Sequence, residues 1–188
     1  MKKITILLLA ITVSLTACKK KKEDVKVEET PVATEVVKTK KVKMALNSKS
    51  NTNTSGNVVF KEEDGSVTMT AIISGLEPGE HAIHIHTTAD CSSADGKSAG
   101  GHWNPTGKPH GKWGNDTGYH KGDIGNFIAD ENGNGTISKT TDEWCIGCAD
   151  TTKDVLGKAI IVHAGSDDFT SQPSGAAGAR VSCAGIIQ

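Results

Sequence analysis

The chain has 188 residues and a formal net charge of -1, but from Val42 onward it holds 11 Lys/Arg against 17 Asp/Glu, a net charge of -6. An acidic domain of this kind disfavours nucleic acid as a partner, because phosphate binding needs a basic surface. The roughly 147 residues from Val42 onward suit one domain with a single core.

The first 17 residues have the composition of a leader. Met1-Lys2-Lys3 is basic, and the apolar run from Ile4 to Leu15 is too short to span a membrane comfortably. The small residues before Cys18 resemble a bacterial lipobox. This predicts that residues 1–17 are a lipoprotein signal peptide and that Cys18 is lipidated as the mature N-terminus. An ordinary signal peptide that happens to contain a cysteine is the alternative.

Residues 18–41 are expected to be a lipid-anchored, charged and flexible linker, because they lack aromatic residues and any sustained apolar period. The anchor predicts attachment to a membrane without a spanning helix. It also predicts a place in the cell envelope, where disulfides persist. Lys19, rather than an aspartate, follows Cys18, which favours the outer membrane, with the domain facing the periplasm or the cell surface.

Residues 42–188 show an apolar period of two. Val42, Met44 and Leu46 alternate with polar residues, and turn signals such as Asp64-Gly65 follow at short intervals. Strands are predicted near residues 42–47, 57–62, 66–74, 81–87, 124–130, 135–141, 158–164 and 179–187. Eight short strands with 21 glycines in the chain predict an all-β antiparallel sandwich or barrel. The intervals 88–123 and 165–178 are too long for simple hairpins and are expected to be functional loops.

His84 and His86 are two residues apart in a predicted strand, so both imidazoles point to one face. Alone this pair is weak evidence, because outward-facing polar strand positions explain it equally well. His163 ends the apolar strand 159–162. It is either a satisfied structural residue or the completion of a nitrogen-rich site with His84 and His86, of the kind that suits Cu(II).

The long 88–123 interval carries His102, His110, His120 and Asp123, spaced by eight, ten and three residues among glycines and prolines. A segment with this punctuation can fold around an ion. Three imidazoles and one carboxylate form a set that suits Zn(II).

Several segments together resemble the copper/zinc superoxide dismutases, in order, over roughly residues 42–188. They are Gly79-Glu80-His81-Ala82-Ile83-His84-Ile85-His86, Gly101-His102-Trp103-Asn104-Pro105, His120-Lys121-Gly122-Asp123-Ile124-Gly125-Asn126, Ile161-Val162-His163, Asp167-Asp168 and Gly178-Ala179-Arg180-Val181-Ser182-Cys183. The resemblance implies an eight-stranded antiparallel Greek-key β-barrel with two long functional loops. It also implies an enzyme that converts two superoxide anions and two protons to O₂ and H₂O₂ by Cu(II)/Cu(I) cycling.

The resemblance also implies a role for each motif residue. The implied copper ligands are His84, His86, His102 and His163; the implied zinc ligands are His102, His110, His120 and Asp123. His102 would thus bridge the two metals and, on reduction of copper, be released from it and take up a proton.

Three further residues receive roles from the resemblance. Asp167 matches a carboxylate that hydrogen-bonds one ligand of each metal. Arg180 matches the arginine that attracts and orients superoxide, and with the copper charge it would focus the field locally on an acidic domain. His81 matches a histidine that braces a loop and binds no metal; three residues from His84, it falls on the opposite strand face.

Four cysteines remain after Cys18. Cys91 and Cys183 match the disulfide of the family, which in the chain-entropy model contributes about 4–5 kcal/mol for a loop of this length. Cys145-Ile146-Gly147-Cys148 is outside the general family pattern. A second local disulfide is the preferred interpretation in this compartment. Thioredoxin-like redox activity would need a βαβ context, and half a zinc site would need two more ligands.

The main alternative function is a non-enzymatic copper/zinc-binding or metal-transfer module. Such relatives often lose copper ligands or the arginine, whereas here the whole set and Arg180 are present. A structural β-domain on a lipid tether would have no reason to keep Asp167 and Arg180 in register with the ligands. The resemblance admits a homodimer without requiring one, because bacterial relatives differ in oligomeric state.

Overall fold

The computed structural model describes residues 39–188, so the predicted signal peptide, Cys18 and nearly all of the linker lie outside the described residues. Among residues 39–188, no helix is long and apolar enough to cross a membrane. Eight strands form the domain, and each begins and ends within two residues of its predicted position. They are β1 (Lys40–Ser48), β2 (Ser55–Glu63), β3 (Ser66–Ser74), β4 (Gly79–His86), β5 (Gly125–Ala129), β6 (Gly135–Thr141), β7 (Ala159–His163) and β8 (Arg180–Gly185).

The strands close into one antiparallel barrel in the order β1-β2-β3-β6-β5-β4-β7-β8. Because β3 pairs with β6 and β4 with β7, the chain crosses over in the Greek-key manner. The barrel confirms the predicted fold class. Strand pairing is shortest at two places in the barrel. β5 and β6 share one residue pair, and β1 and β8 share two.

The barrel interior is filled by alternate residues of the strands, as the period of two predicts. On β3, for example, Val67, Met69, Ala71 and Ile73 are fully buried while the residues between them face outward. The interior side chains belong to one apolar cluster, together with Phe60 and Trp144.

On β4, β7 and β8 the outer face of the sheet is also covered. Every residue of β7 is buried, and Ala159, Ile161 and Cys183 form a second apolar cluster outside the barrel with Ala99. The covering segment is held by a disulfide between Cys91 and Cys183. A strand face that would normally meet water is therefore buried beneath a loop, and polar side chains on that face need partners.

The 88–123 loop continues the sheet where β5 ends. β5 pairs with β4 as far as Ile83, and beyond it the loop takes over the same edge of β4. Trp103 N donates to Ile85 O at 2.8 Å, and Ile85 N donates to Gly122 O at 2.9 Å. His102 thereby forms a β-bridge with His86. Backbone pairing, rather than side-chain contact alone, fixes the loop against β4.

We predict that Gly122→Ala destabilises the domain, because a Cβ at this position would lie 2.2 Å from Ile85 O and 3.1 Å from Trp103 N. Both are backbone atoms of the sheet and cannot move aside cheaply. The expected loss is about 1–3 kcal/mol in the free energy of unfolding, measured by denaturant titration.

Gly101→Ala is the matched control in the same loop, since a Cβ there would meet nothing within 4 Å. Its effect should stay within about 0.5 kcal/mol. Equal stability of the two variants would contradict the packing argument.

Candidate metal centre

Two sets of buried side chains lie under the loops, and His102 belongs to both. In each set the candidate ligand atoms lie within 4.8 Å of one another. The first set is His84, His86, His102 and His163; the second is His102, His110, His120 and Asp123. The structure therefore brings together every residue that the sequence proposed as a metal ligand, in the two groups proposed.

The first set is built on strands. His84 and His86 project from the covered outer face of β4. The alternating residues Ile83 and Ile85 project into the barrel core. His163 ends β7 at an irregularity in its pairing with β8, where it lies opposite Arg180. Strand irregularities of this kind re-aim side chains.

The second set is built around one carboxylate. His102 Nδ1 hydrogen-bonds Asp123 Oδ1 at 2.8 Å, while His110 Nδ1 lies 3.0 Å from Oδ2 and His120 Nδ1 lies 3.2 Å from Oδ1. The backbone N–H groups of Gly111 and His120 donate to the same carboxylate. Asp123 is thus oriented by its own loop, and the imidazoles converge on it.

The imidazole nitrogens provide the test of whether metal ions fit. Six buried nitrogens have no hydrogen-bond partner among the described residues: His84 Nδ1, His86 Nε2, His102 Nε2, His110 Nδ1, His120 Nδ1 and His163 Nε2. A buried polar atom without a partner costs about 1–3 kcal/mol, and six such atoms at two points are unlike ordinary packing. The lone pair of a neutral imidazole directed at a cation removes this cost. The residues therefore fit two metal ions.

Asp167 connects the two sets. Its Oδ2 accepts a hydrogen bond from His84 Nε2 and its Oδ1 accepts one from His110 Nε2, both at 2.8 Å. Asn126 holds the backbone of Asp167 on both sides, because its side chain accepts from Asp167 N and donates to Asp167 O. These bonds fix which nitrogen of His84 and of His110 is left for a metal.

The surroundings keep three imidazoles of the first set neutral, which is the form that binds metals. Burial lowers the pKa of His163 to about 3 and that of His102 to about 4, the latter against the opposing effect of Asp123. Burial also lowers the pKa of His86 well below its usual value.

His110 behaves in the opposite way. Although burial opposes its charge, the Asp123 carboxylate 3.0 Å from its Nδ1 and the hydrogen bond to Asp167 raise its pKa to about 9. The three histidines beside Asp123 and the backbone N–H of His120 lower the pKa of that carboxyl despite its burial. The ionised carboxylates of Asp123 and Asp167 make this part of the site negative, which favours a proton on His110. A divalent cation can take the place of that proton.

Arg180 lies at the rim of a cavity of about 480 Å³ that opens onto the first set. His86, His102, His120, His163 and Lys97 also line this cavity. The guanidinium donates to Gly96 O at 2.8 Å and to Gly100 O at 2.7 Å. Its fork is thereby fixed beside the unpaired imidazole nitrogens, and an anion entering the cavity meets a held positive charge.

Gly100 was not singled out from the sequence. Its carbonyl oxygen accepts from both Arg180 Nη2 and His86 Nδ1, the latter at 2.9 Å. The residue has φ of 77°, and a Cβ would lie 2.2 Å from Thr87 Oγ1, so glycine is required. Gln172 was likewise given no role, although its side chain bonds both the N–H and the carbonyl of His110. Such loop contacts have no periodic signal in the sequence.

The remaining proposed residues are also located by the structure. His81 lies on the opposite face of β4 from His84, and its ring hydrogen-bonds the carbonyls of His163 and Glu77. It belongs to neither metal set. A second disulfide joins Cys145 and Cys148.

Comparison with known proteins agrees with this geometry. The family model described as copper/zinc superoxide dismutase (SODC) matches residues 54–186. The chain belongs to the copper/zinc superoxide dismutase family. A curated relative, "Superoxide dismutase [Cu-Zn] 2" of Brassica juncea, is 37% identical over 139 residues, covering 70% of this chain and 88% of the relative.

Solved structures share the fold. The clock protein EA4 superposes with a TM-score of 0.66 at 32% identity, covering 78% of this chain and 94% of that one. A double mutant of a SOD-like protein from Bacillus subtilis gives a TM-score of 0.69 at 29% identity, covering 78% and 97%. The likeness spans almost the whole of these proteins.

We predict that Asp167→Asn lowers the affinity for both metals, because the carboxylate orients one histidine of each set. Partners of this kind typically contribute 10–100-fold to metal affinity, so a loss of about that size is expected in chelator competition. Asp168→Asn is the matched control, since Asp168 is exposed and bonds only local groups such as Thr170 N. Loss of a single metal, or equal affinities in the two variants, would contradict the connecting role.

Proposed function

We propose that this domain is a superoxide dismutase. It converts two superoxide anions and two protons to O₂ and H₂O₂: one superoxide is oxidised, and a second is reduced and protonated twice. The observation that carries the proposal is the pair of ligand sets joined through His102, with six unpaired buried nitrogens directed into them.

The copper ligands in this proposal are His84, His86, His102 and His163, and the zinc ligands are His102, His110, His120 and Asp123. Copper, when bound, supplies the one-electron Cu(II)/Cu(I) chemistry, and zinc supplies a fixed positive charge without redox change. The remaining tasks fall to the residues of the chain itself.

His102 is the residue that can hold a proton between the two sets. Its Nδ1 lies on the Asp123 side, and its Nε2 is unpaired on the side of the cavity. A proton on Nε2 would therefore be positioned to reach peroxide in the cavity, while Asp123 keeps the ring in one orientation. This is general acid catalysis by a held imidazole.

Arg180 binds and orients the anionic substrate. Its burial lowers its pKa, but the guanidinium remains charged at any physiological pH. Because the domain carries a net negative charge, attraction of superoxide must be local, and Arg180 with Lys97 supplies it at the cavity.

We also propose that the enzyme acts in the cell envelope, tethered through lipid on Cys18 to the outer membrane. The support is the sequence: a basic start, a short apolar run, small residues before Cys18 and a charged stretch before β1. Lys40 and Lys41, which were predicted to be linker, belong to β1 instead. Membrane fractionation of the full chain and of Cys18→Ser would test it. A wild-type chain that stays soluble would contradict the tether.

We expect protein loaded with both metals to consume superoxide far faster than buffer, and His163→Ala to reduce that rate by roughly 10²-fold or more. The reason is that losing a ligand should cost more than losing one of its outer partners, which already contribute 10–100-fold. Lys61→Gln, an exposed change on β2, is the control and should leave the rate unchanged. A loaded wild-type protein that binds both metals but consumes superoxide no faster than buffer would instead support a metal-transfer module.

We expect Arg180→Gln to slow superoxide consumption about tenfold or more and to weaken its dependence on ionic strength, because the focused positive charge is lost. Arg180→Lys keeps the charge and should retain most of the salt dependence. Stopped-flow rates at several salt concentrations, at equal copper content, provide the measurement. Wild-type rates and salt dependence in Arg180→Gln would exclude this role.

A further inference from the structure

The loop between β6 and β7, residues 142–158, contacts the segment that carries the second ligand set. We infer that this loop is a brace for residues 110–123 and that it controls how firmly zinc is retained. Glu143 and Trp144 are its positioning residues, and the Cys145–Cys148 disulfide holds them in place. The inference rests on the proposed assignment of His110, His120 and Asp123 to zinc.

The first support for the brace is a set of polar contacts on both sides of His120. Trp144 Nε1 donates to Lys121 O at 2.9 Å. Tyr119 Oη donates to Glu143 Oε1 at 2.6 Å, and Lys121 Nζ pairs with Glu143 Oε2. The residues before and after a proposed ligand are therefore both bound to the same short stretch of another loop.

The second support is aromatic packing. Trp113 and Tyr119 come from the ligand segment, with ring centroids 4.9 Å apart, and Trp113 meets the fully buried Trp144 edge-on at 5.4 Å. Trp144 continues to Phe60 of the barrel core at 5.9 Å. The chain has only seven aromatic residues, and four of them form this line from the core to the ligand segment. The rigid rings connect the segment to the barrel.

The opposite side of the ligand segment is fixed by the sheet. Gly122 lies between Ile85 and Trp103 through backbone hydrogen bonds of 2.9 and 3.0 Å. Two residues, Lys121 and Gly122, separate His120 from Asp123. Trp144 binds Lys121 from one side, and β4 binds Gly122 from the other. Ligand atoms need placement within about 0.5 Å of the productive geometry. Fixing these two residues from both sides places the ligand atoms of His120 and Asp123 in this way.

The disulfide explains how a loop can serve as a rigid support. Cys145 directly follows Trp144 and is bonded to Cys148. Its N–H donates to Lys153 O at 2.9 Å, and its carbonyl accepts from Val155 N at 3.1 Å, so the start of the loop is closed onto its end. Ile146 N also donates to Glu62 Oε2 of β2 at 2.8 Å. The Cys-x-x-Cys motif, which the family pattern left without a role, thereby fixes the backbone next to Trp144.

The test follows zinc release from wild-type protein loaded with both metals, using a chromogenic zinc chelator. The variants are Trp144→Phe, which keeps the ring and removes the N–H, Glu143→Gln, which removes the charge, and the double variant Cys145→Ser/Cys148→Ser. Zinc release should be about tenfold faster in each, at the lower end of the effect of groups that support ligands. Copper content should stay at the wild-type level, because none of these residues contacts the first ligand set.

Glu62→Gln is the matched control for Glu143→Gln. It removes the same charge, its amide oxygen can still accept from Ile146 N, and its polar partners, Lys40 and Ile146, lie outside the ligand segment. It should release zinc at the wild-type rate. Cobalt substituted at the zinc site provides a second readout: its visible bands should change in Trp144→Phe and not in Glu62→Gln, as expected for altered ligand geometry.

The possible results distinguish failure of the brace from failure of the proposed zinc assignment. Variants that melt at a lower temperature but release zinc at the wild-type rate would overturn the brace while leaving the zinc site intact. If Glu62→Gln also released zinc faster, the effect would reflect a general loss of rigidity in the domain, and this result would overturn the brace as well. A wild-type protein that binds no zinc would instead overturn the proposed function.

Discussion

The constraint on which the site depends is the orientation of the imidazole rings, most of which have one nitrogen bonded to the protein and one left for a metal. Four histidines direct one nitrogen to a carboxylate or carbonyl oxygen of the chain and leave the other without a partner: His84, His86, His110 and His163. His102 differs, because it belongs to both ligand sets. A ring held in this way cannot flip to exchange its nitrogens without losing a bond. The protein thereby decides which atom faces the metal before any metal binds, which limits the reorganisation that binding requires.

This arrangement requires that β4 be buried on both faces. Its inner side chains complete the barrel core, and its outer side chains would be ordinary surface histidines if the loops did not cover them. Backbone pairing of the loop to Ile85 and the disulfide from Cys91 to β8 supply that cover. The same burial that stabilises the domain lowers the pKa of His102 and His163 and keeps them in the metal-binding form.

Much of this could be predicted because it follows from local pattern. Alternation along Val42, Met44 and Leu46 and the turn glycines give the strands, and parity along β4 places His81 opposite His84. The ligand sets and the carboxylate Asp167 were proposed from a series of motifs in order, and the structure brings these residues together. The lipid anchor at Cys18 lies outside the described residues and stays a prediction.

What sequence could not supply are contacts fixed only by tertiary structure. The bond from Trp144 to Lys121 O joins two irregular segments with 22 residues between them, and no periodicity relates them. Gln172, Asn126 and Gly100 act through backbone groups, whose positions depend on the whole path of the loops. The Cys145–Cys148 pair could be proposed as a disulfide from its spacing, but its effect on Trp144 needs the closed loop to be seen.

The carbonyl oxygen of Gly100 fixes the position of His86 relative to Arg180. One atom accepts hydrogen bonds from both the ring of His86 and the guanidinium of Arg180, so a single acceptor fixes how far the proposed copper ligand lies from the proposed anion-binding residue. Neither group can be repositioned by drift in the surrounding loop without the other. A displacement of this one carbonyl would therefore shift the ring of His86 and the guanidinium of Arg180 together.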